Sequence, residues 1–205
     1  MIQCDAILLA AGLSRRMGVQ NKLLLKVGNE PMIAHVARNY LSAISGKVTV
    51  VTGYQADQIK RTLSHLPVSF VHNPDFADGQ QSSIVVGLRS QSGNRATLTG
   101  LGDQPMLRVD NLRWLLNVHQ RDPSKVTVPY RCGQRGNPIV IPPYLRSVML
   151  ANPKSAGCRK FTRERPHSVT LANTASDGFF ADVDTPEDYH NLTSETNGVY
   201  HDMAV

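Results

Sequence analysis

The sequence predicts an α/β fold on a mostly parallel sheet. Short β-branched runs alternate with helical stretches along the chain, the pattern of successive βα units. Its 205 residues suit one α/β domain or a tight two-part unit, at roughly 150 residues per domain. With 41% apolar and 19% charged residues, 15 Gly and 12 Pro, the composition is ordinary for a globular protein and excludes disordered, collagenous and coiled-coil classes.

The expected strands are Ala6 to Ala10, Lys47 to Thr52, Val68 to His72, Ala96 to Leu101, Val126 to Tyr130, Pro138 to Ile141, Val169 to Ala172 and Phe179 to Val183. Between the first two, Pro31 to Ser45 opens with a helix-starting proline and puts Ile33, Val36, Ala37, Tyr40 and Leu41 on one face. Gln55 to Leu66, Ser82 to Ser90, Asp110 to Arg121 and Thr185 to Leu192 are further expected helices. Asp110 or Asn111 is placed to cap the fourth helix. Thr185-Pro186-Glu187-Asp188 reads as N-cap, N1 proline and acidic first turn. Residues 1–192 are expected to form a single domain, with 193–205 a loose polar tail.

Lys plus Arg number 22 against 16 acids, a net charge of +6, which raises nucleic acid or a small anionic ligand as partner. Residues 131–165 carry eight basic side chains against one acid, Glu164, whereas residues 166–205 carry seven acids and no Lys or Arg. Adjacent blocks of opposite sign fit local anion handling with a cation site, or simply solvated surfaces. Aromatics at 6%, with no basic helix, argue against nucleic acid. Cys4, Cys132 and Cys158 form no C-x-x-C and fit a reducing cytoplasm. Cys4 opens an apolar strand and reads as a buried thiol. Cys158 sits among Arg159, Lys160 and Arg163, cations that lower a thiol pKa, but no His is paired to it. No apolar run reaches the ~18 residues of a membrane span, and the N-terminus lacks the basic region of a signal peptide.

Ligands of open α/β sheets bind beyond the carboxyl ends of strands, so the segments after each strand are where chemistry is sought. After the first, Leu9-Ala10-Ala11-Gly12-Leu13-Ser14-Arg15-Arg16-Met17-Gly18, then Asn21-Lys22, offers backbone amides and three cations to a polyphosphate. It matches neither G-x-G-x-x-G nor the P-loop, and by itself is equally an ordinary βα turn with a basic tip. Gly100-Leu101-Gly102-Asp103-Gln104-Pro105 sets an acid past the fourth strand, suited to Mg²⁺, which takes one or two protein carboxylates and fills its shell with water and phosphate oxygens. Asp182-Val183-Asp184-Thr185-Pro186 puts two acids on one side of an expected strand end, for metal binding or for helix capping. Asn73 to Ser83 and Arg131 to Pro138 bring amides and hydroxyls to strand ends, suited to reading a base and a polar acceptor.

Together and in order, these motifs resemble the MobA-like NTP transferases, above all their molybdenum cofactor cytidylyltransferase branch, from Ala6 to about Leu192. The resemblance implies a Rossmann-like three-layer sandwich with a mostly parallel mixed sheet, of the nucleotide-diphospho-sugar transferase type. It also implies Mg²⁺-dependent transfer of CMP from CTP to the phosphate of molybdenum-bound molybdopterin, with release of pyrophosphate. The nucleotide set it implies is Ala10, Ala11, Gly12, Ser14, Arg15, Arg16, Lys22, Gly79 and Ser83, the last two resembling base contacts. Asp103 and Asp184 correspond to metal ligands, Arg16, Lys22 and Asp103 to catalytic groups, and Gln134, Arg135, Asn137 and Arg159 to the acceptor side. Guanylyl-transferring relatives carry glycine where this chain has Ala11, and the methyl group favours a pyrimidine over a purine.

The departures are Lys26 in place of a frequent proline, Asn137 in place of histidine, and Lys154-Ser155-Ala156-Gly157-Cys158-Arg159 in place of a Gly-Asp-x-Gly-Ala-Arg stretch. They lie mostly on the acceptor side. Alternative readings are guanylyl or cytidylyl transfer to another phosphorylated acceptor, such as a sugar or polyol phosphate, and a non-catalytic protein that delivers the cofactor. A transient contact with a molybdoenzyme apoprotein accompanies the leading one.

Overall fold

The computed structural model describes residues 3–18, 20–151 and 158–201. The first strand, β1 (Asp5–Ala10), is buried at every position. Its alternation divides the core in two. Ala6, Leu8 and Ala10 face one layer with Val48 and Val50, while Ile7 and Leu9 face the other with Val51. A strand covered on both faces is apolar throughout, as this one is.

A short antiparallel pair, β2 (Lys26–Val27) and β3 (Glu30–Pro31), leads into α1 (Met32–Ala43). Then follow β4 (Val48–Thr52), α2 (Ala56–Thr62), β5 (Ser69–His72), α3 (Gln80–Ser90), β6 (Thr97–Leu101) and α4 (Val109–Arg121). The second half holds β7 (Val126–Arg131), β8 (Gln134–Arg135), β9 (Ile139–Ile141), α5 (Pro143–Ala151), α6 (Cys158–Glu164), β10 (Val169–Asn173) and α7 (Pro186–His201).

The main sheet has eight strands in the order β10-β7-β9-β6-β1-β4-β5, with β8 paired to β7. β5, β4, β1 and β6 are parallel neighbours, and β9 runs against both β6 and β7. Two reversals restore β7 and β10 to the direction of β6, so the sheet is mixed through β9 and the short β8. Ile33, Ile59 and Leu112 represent α1, α2 and α4 in the core layer on one face. Leu88, Leu145 and Phe161 represent α3, α5 and α6 on the other. The fold is therefore a three-layer α/β sandwich, as expected.

Seven of the eight expected strands form. The eighth, Phe179 to Val183, does not: a single helical turn, Asp177–Phe179, is followed by irregular chain. That chain is held by Val183 N–H donating to the Asp103 carbonyl at 2.9 Å. Alternation alone does not separate an edge strand from such a loop. The last helix, expected to end at Leu192, continues to His201 rather than giving way to a loose tail. Its start is the capping arrangement read from sequence: Thr185 Oγ1 accepts from Asp188 N, and Asp188 Oδ2 accepts from Thr185 N and Asp184 N. Asn111 Oδ1 takes the Arg108 N–H at the start of α4. Helices α5 and α6 lay outside the sequence reading. Among the described residues no helix is long and apolar enough to cross a membrane.

Candidate active site

At the carboxyl ends of β1 and β6 lies an open cleft of about 440 Å³. The β1 loop shapes one wall. Ser14 sits in the left-handed region, with φ 50°, and its Oγ accepts from Lys22 N at 3.3 Å. This contact folds the loop back so that Lys22 returns beneath it. Asn21 caps the following turn through Leu23 N, which seats Lys22 with only 11% of its side chain exposed. Among the described residues nothing lies within 4 Å of the place where a Gly12 side chain would begin, so the loop backbone is open to a ligand.

Lys22 Nζ lies 2.5 Å from Asp103 Oδ2 and 2.7 Å from Asp184 Oδ1, while Arg16 Nη1 lies 2.6 Å from Asp184 Oδ2. Burial pulls the Lys22 pKa down, but the two carboxylates outweigh it and the net direction is upward. Asp184 is held below the usual carboxylate range, chiefly by the Lys22 hydrogen bond. The two acids meet because the Val183–Asp103 backbone bond pins the late loop against the β6 turn.

Asp103 Oδ1 is buried with no hydrogen-bond partner among the described residues, an orphan of the kind that calls for an ion or water. Two carboxylates converging on one point, with one oxygen unspent, fit a divalent cation of the Mg²⁺ type. Among the described residues no cluster of three or more acids, His or Cys forms, so water and phosphate oxygens would complete the shell.

Asp182 and Asp184 do not share a strand face; Asp182 instead accepts from Gln104 Nε2 at 2.8 Å. Although much of Asp182 is exposed, desolvation of its carboxyl together with Asp103 and Asp184 pushes its pKa up to about 6.

The cleft is also lined by the uncharged residues Phe76, Ala77, Gly79, Gln80, Ser83 and Ala11. Gly53 makes this wall possible: a Cβ there would stand 2.5 Å from Phe76 Cβ and 2.9 Å from Ala11 Cβ. Of the residues expected to bind nucleotide, Ala11, Gly12, Ser14, Arg15, Arg16, Lys22, Gly79 and Ser83 line the cleft, as do both expected metal ligands. Ala10 is the buried end of β1 just beneath it.

Of the expected acceptor residues, Gln134, Arg135 and Asn137 lie outside this cleft, along the same edge of the sheet. Gln134 is exposed on β8, Arg135 Nη1 donates to Thr162 Oγ1 at 2.7 Å, and Asn137 N–H donates to the Phe179 carbonyl. The Arg159 and Cys158 side chains and residues 152–157 lie outside those described. Phe76, Gln80 and Leu13 were not singled out from sequence. An aromatic in a polar loop directly after a strand was the available signal for Phe76.

An α/β sheet with cations, paired carboxylates and uncharged residues in one cleft beyond its strand ends defines a phosphate-handling enzyme site. Residues 6–169 match the MobA-like NTP transferase domain, and the chain belongs to that nucleotidyltransferase family. Nicotine blue oxidoreductase of Paenarthrobacter nicotinovorans is 30% identical over 194 residues, 91% of this chain and 94% of that protein. Molybdenum cofactor cytidylyltransferase of Escherichia coli is 28% identical over 191 residues, 92% of this chain and 95% of that one. A nucleotidyl transferase from Methanothermobacter thermautotroptrophicus superposes with a TM-score of 0.80 at 22% identity, covering 96% of this chain and 99% of its own. The two sequence relatives bear the names of different reactions, so overall similarity leaves the choice to the site.

Proposed function

We propose that this protein transfers CMP from CTP to the terminal phosphate of molybdopterin, releasing pyrophosphate, with Mg²⁺ held by Asp103 and Asp184. The observation that carries the reading is the meeting of Lys22, Asp103, Asp184 and Arg16 in a cleft that is also lined by the uncharged Phe76, Gly79 and Ser83. That lining suits a nucleotide lying with its phosphates on the cations and its base against Phe76, Ala11 and Ser83.

Two anions must approach for a phosphate oxygen to attack the α-phosphorus in line. The residues therefore act mainly by positioning and by neutralising charge. Lys22 and Arg16 exchange carboxylate oxygens for triphosphate oxygens, and Arg15 adds a third positive charge at the rim. When bound at Asp103 and Asp184, the metal would supply Lewis-acid neutralisation of phosphate charge. No general base is required, because the acceptor phosphate is already ionised at neutral pH. Gln134, Arg135, Asn137 and Arg159 are assigned to the acceptor.

The catalytic unit is residues 1–192, with 193–205 as an addition to it. The cytoplasm is its setting, and delivery of the product to a molybdoenzyme apoprotein is the step that follows.

The test is pyrophosphate release with Mg²⁺ and molybdopterin from CTP, GTP or ATP. The expected result is a preference for CTP and a loss of orders of magnitude in Asp103→Asn, with the fold retained. Turnover of GTP alone reverses the base assignment, and turnover on sugar or polyol phosphates alone replaces the acceptor. Molybdopterin binding without pyrophosphate release, or redox turnover in its place, overturns the transferase reading.

A further inference from the structure

Asn73 is fully buried at the end of β5, with its backbone N–H tied to the Thr52 carbonyl at 2.8 Å. Its side chain organises part of the uncharged lining of the cleft. Oδ1 accepts the Asp75 N–H at 3.0 Å, which fixes the amide orientation because only the oxygen can accept there. Both Nδ2 hydrogens are thereby turned onto hydroxyls, one to Ser82 Oγ at 2.8 Å and one to Ser83 Oγ at 3.0 Å. Ser82 spends its own hydrogen on the Asp75 or Gly79 carbonyl, each 2.8 Å away. Ser83 is 4% exposed, lines the cleft, and has no acceptor for its hydroxyl hydrogen among the described residues. With one lone pair of its oxygen held by an obligate donor, Ser83 has its hydroxyl hydrogen to offer to the cleft.

We infer that Asn73 is a positioning residue that sets Ser83 as a hydrogen-bond donor, so that the cleft selects a base with an acceptor edge. Cytosine meets this donor with N3 or O2. Guanine turns N1–H and the 2-amino group to the same partner and keeps only O6 as an acceptor on that edge, so the donor is matched at one position where cytosine matches it at two. A polar group buried against the wrong partner discriminates strongly, because neither side then regains what it lost on leaving water. The Ala11 methyl in the cleft lining acts in the same direction by size. This inference rests on the cytidylyl reading and goes beyond it by naming the residue that sets the preference.

Asn73→Asp tests it. The new side chain keeps an oxygen for Asp75 N–H but presents an acceptor where Nδ2 was. Ser83 then donates inward and shows the cleft a lone pair. Calorimetric affinities for CTP and GTP are measured with Mg²⁺ on the full chain, beside Ser83→Ala and the double variant.

The expected outcome is a fall of about tenfold or more in CTP affinity in Asn73→Asp, with GTP affinity unchanged or raised. Ser83→Ala loses the CTP preference without gaining GTP, and adding the Asn73 change to it does nothing further to the ratio. An unaltered CTP-to-GTP ratio in a folded Asn73→Asp protein overturns the inference while leaving the cytidylyl reading standing, and so does an equal fall for both nucleotides. If Asn73→Asp does not fold, Ser83→Ala decides, and a preserved preference there overturns the inference. A wild-type protein with no preference for CTP overturns both.

Discussion

Replacing Lys22 with methionine removes one positive charge from between two carboxylates while keeping most of the side-chain volume. The Lys22 and Asp103 side chains are 11% and 16% exposed and their charged atoms are 2.5 Å apart. Removing one partner of a buried pair costs about 3–5 kcal/mol, because the other charge is left desolvated. The pair with Asp184, whose side chain is 42% exposed, belongs with surface pairs worth about 0.2–1 kcal/mol. The cleft is open, so water reaches part of the abandoned Asp103 carboxylate, and the expected loss is about 2–4 kcal/mol. Against a typical total of about 5–15 kcal/mol this is readily measured.

The assay is urea denaturation of wild type and Lys22→Met, followed through the single tryptophan, Trp114, which packs on Phe179 at 5.6 Å. With chelator present the full deficit appears. With Mg²⁺ it shrinks, because a cation that binds only the folded state re-pairs the carboxylates and stabilises by mass action. A deficit below about 1 kcal/mol in chelator, or one that Mg²⁺ leaves unchanged, refutes the reasoning. The pH dependence has a definite sign. Since the folded Lys22 pKa is raised, its contribution is complete below the unfolded value near ~10.4. It is lost only as pH rises through the folded value. The wild-type advantage is therefore flat between about pH 7 and 9 and closes above about pH 10.

Three further outcomes follow from packing and burial. Gly53→Val drives a side chain into Phe76 and Ala11, so nucleotide affinity falls about tenfold while the far-UV spectrum is kept; overpacking of about 1–3 kcal/mol is the physical cause, and unchanged affinity by calorimetry counts against Phe76 as a cleft wall. Gly100→Ala sets a methyl group against the buried Tyr40 hydroxyl and Pro138, lowering stability by about 1–3 kcal/mol in denaturant melts. Burial pushes the Cys4 thiol up to about 12, leaving roughly one part in ten thousand as thiolate at pH 8. Peptide mapping after alkylation of native protein therefore finds exposed Cys132 modified and Cys4 protected until denaturant is added.

Local pattern was enough for most of the frame. The strands from Ala6 to Ala172 and the helices from Pro31 to Arg121 are legible because apolar periodicity and turn residues act within a few positions of each other. The Thr185-Pro186-Asp188 cap is legible for the same reason. Gly12, Ser14, Lys22 and Asp103 stand out because they follow strands, where a sheet of this kind presents its ligands. The misread piece, Phe179 to Val183, shows the limit: its conformation is set by Val183 bonding to the Asp103 carbonyl and by Asn137 and Gln104 bonding to Phe179. All of these partners are distant in sequence.

By itself the sequence determined that the chain is an α/β protein, which loops face ligand, and that cations and acids are held in reserve there, since these depend on residue type and short-range order. The tertiary structure decided which charges meet. Lys22 and Asp184 are 162 positions apart, yet share an ion pair because β1 and β6 are neighbours in the sheet and the late loop is pinned to the β6 turn. It also decided that Asp182 turns to Gln104 while Asp184 turns to Lys22. Gly53 clears room for Phe76 beside Ala11 only once three βα turns have been stacked along one sheet edge. Such pairings come from chain crossings, and no local rule encodes them.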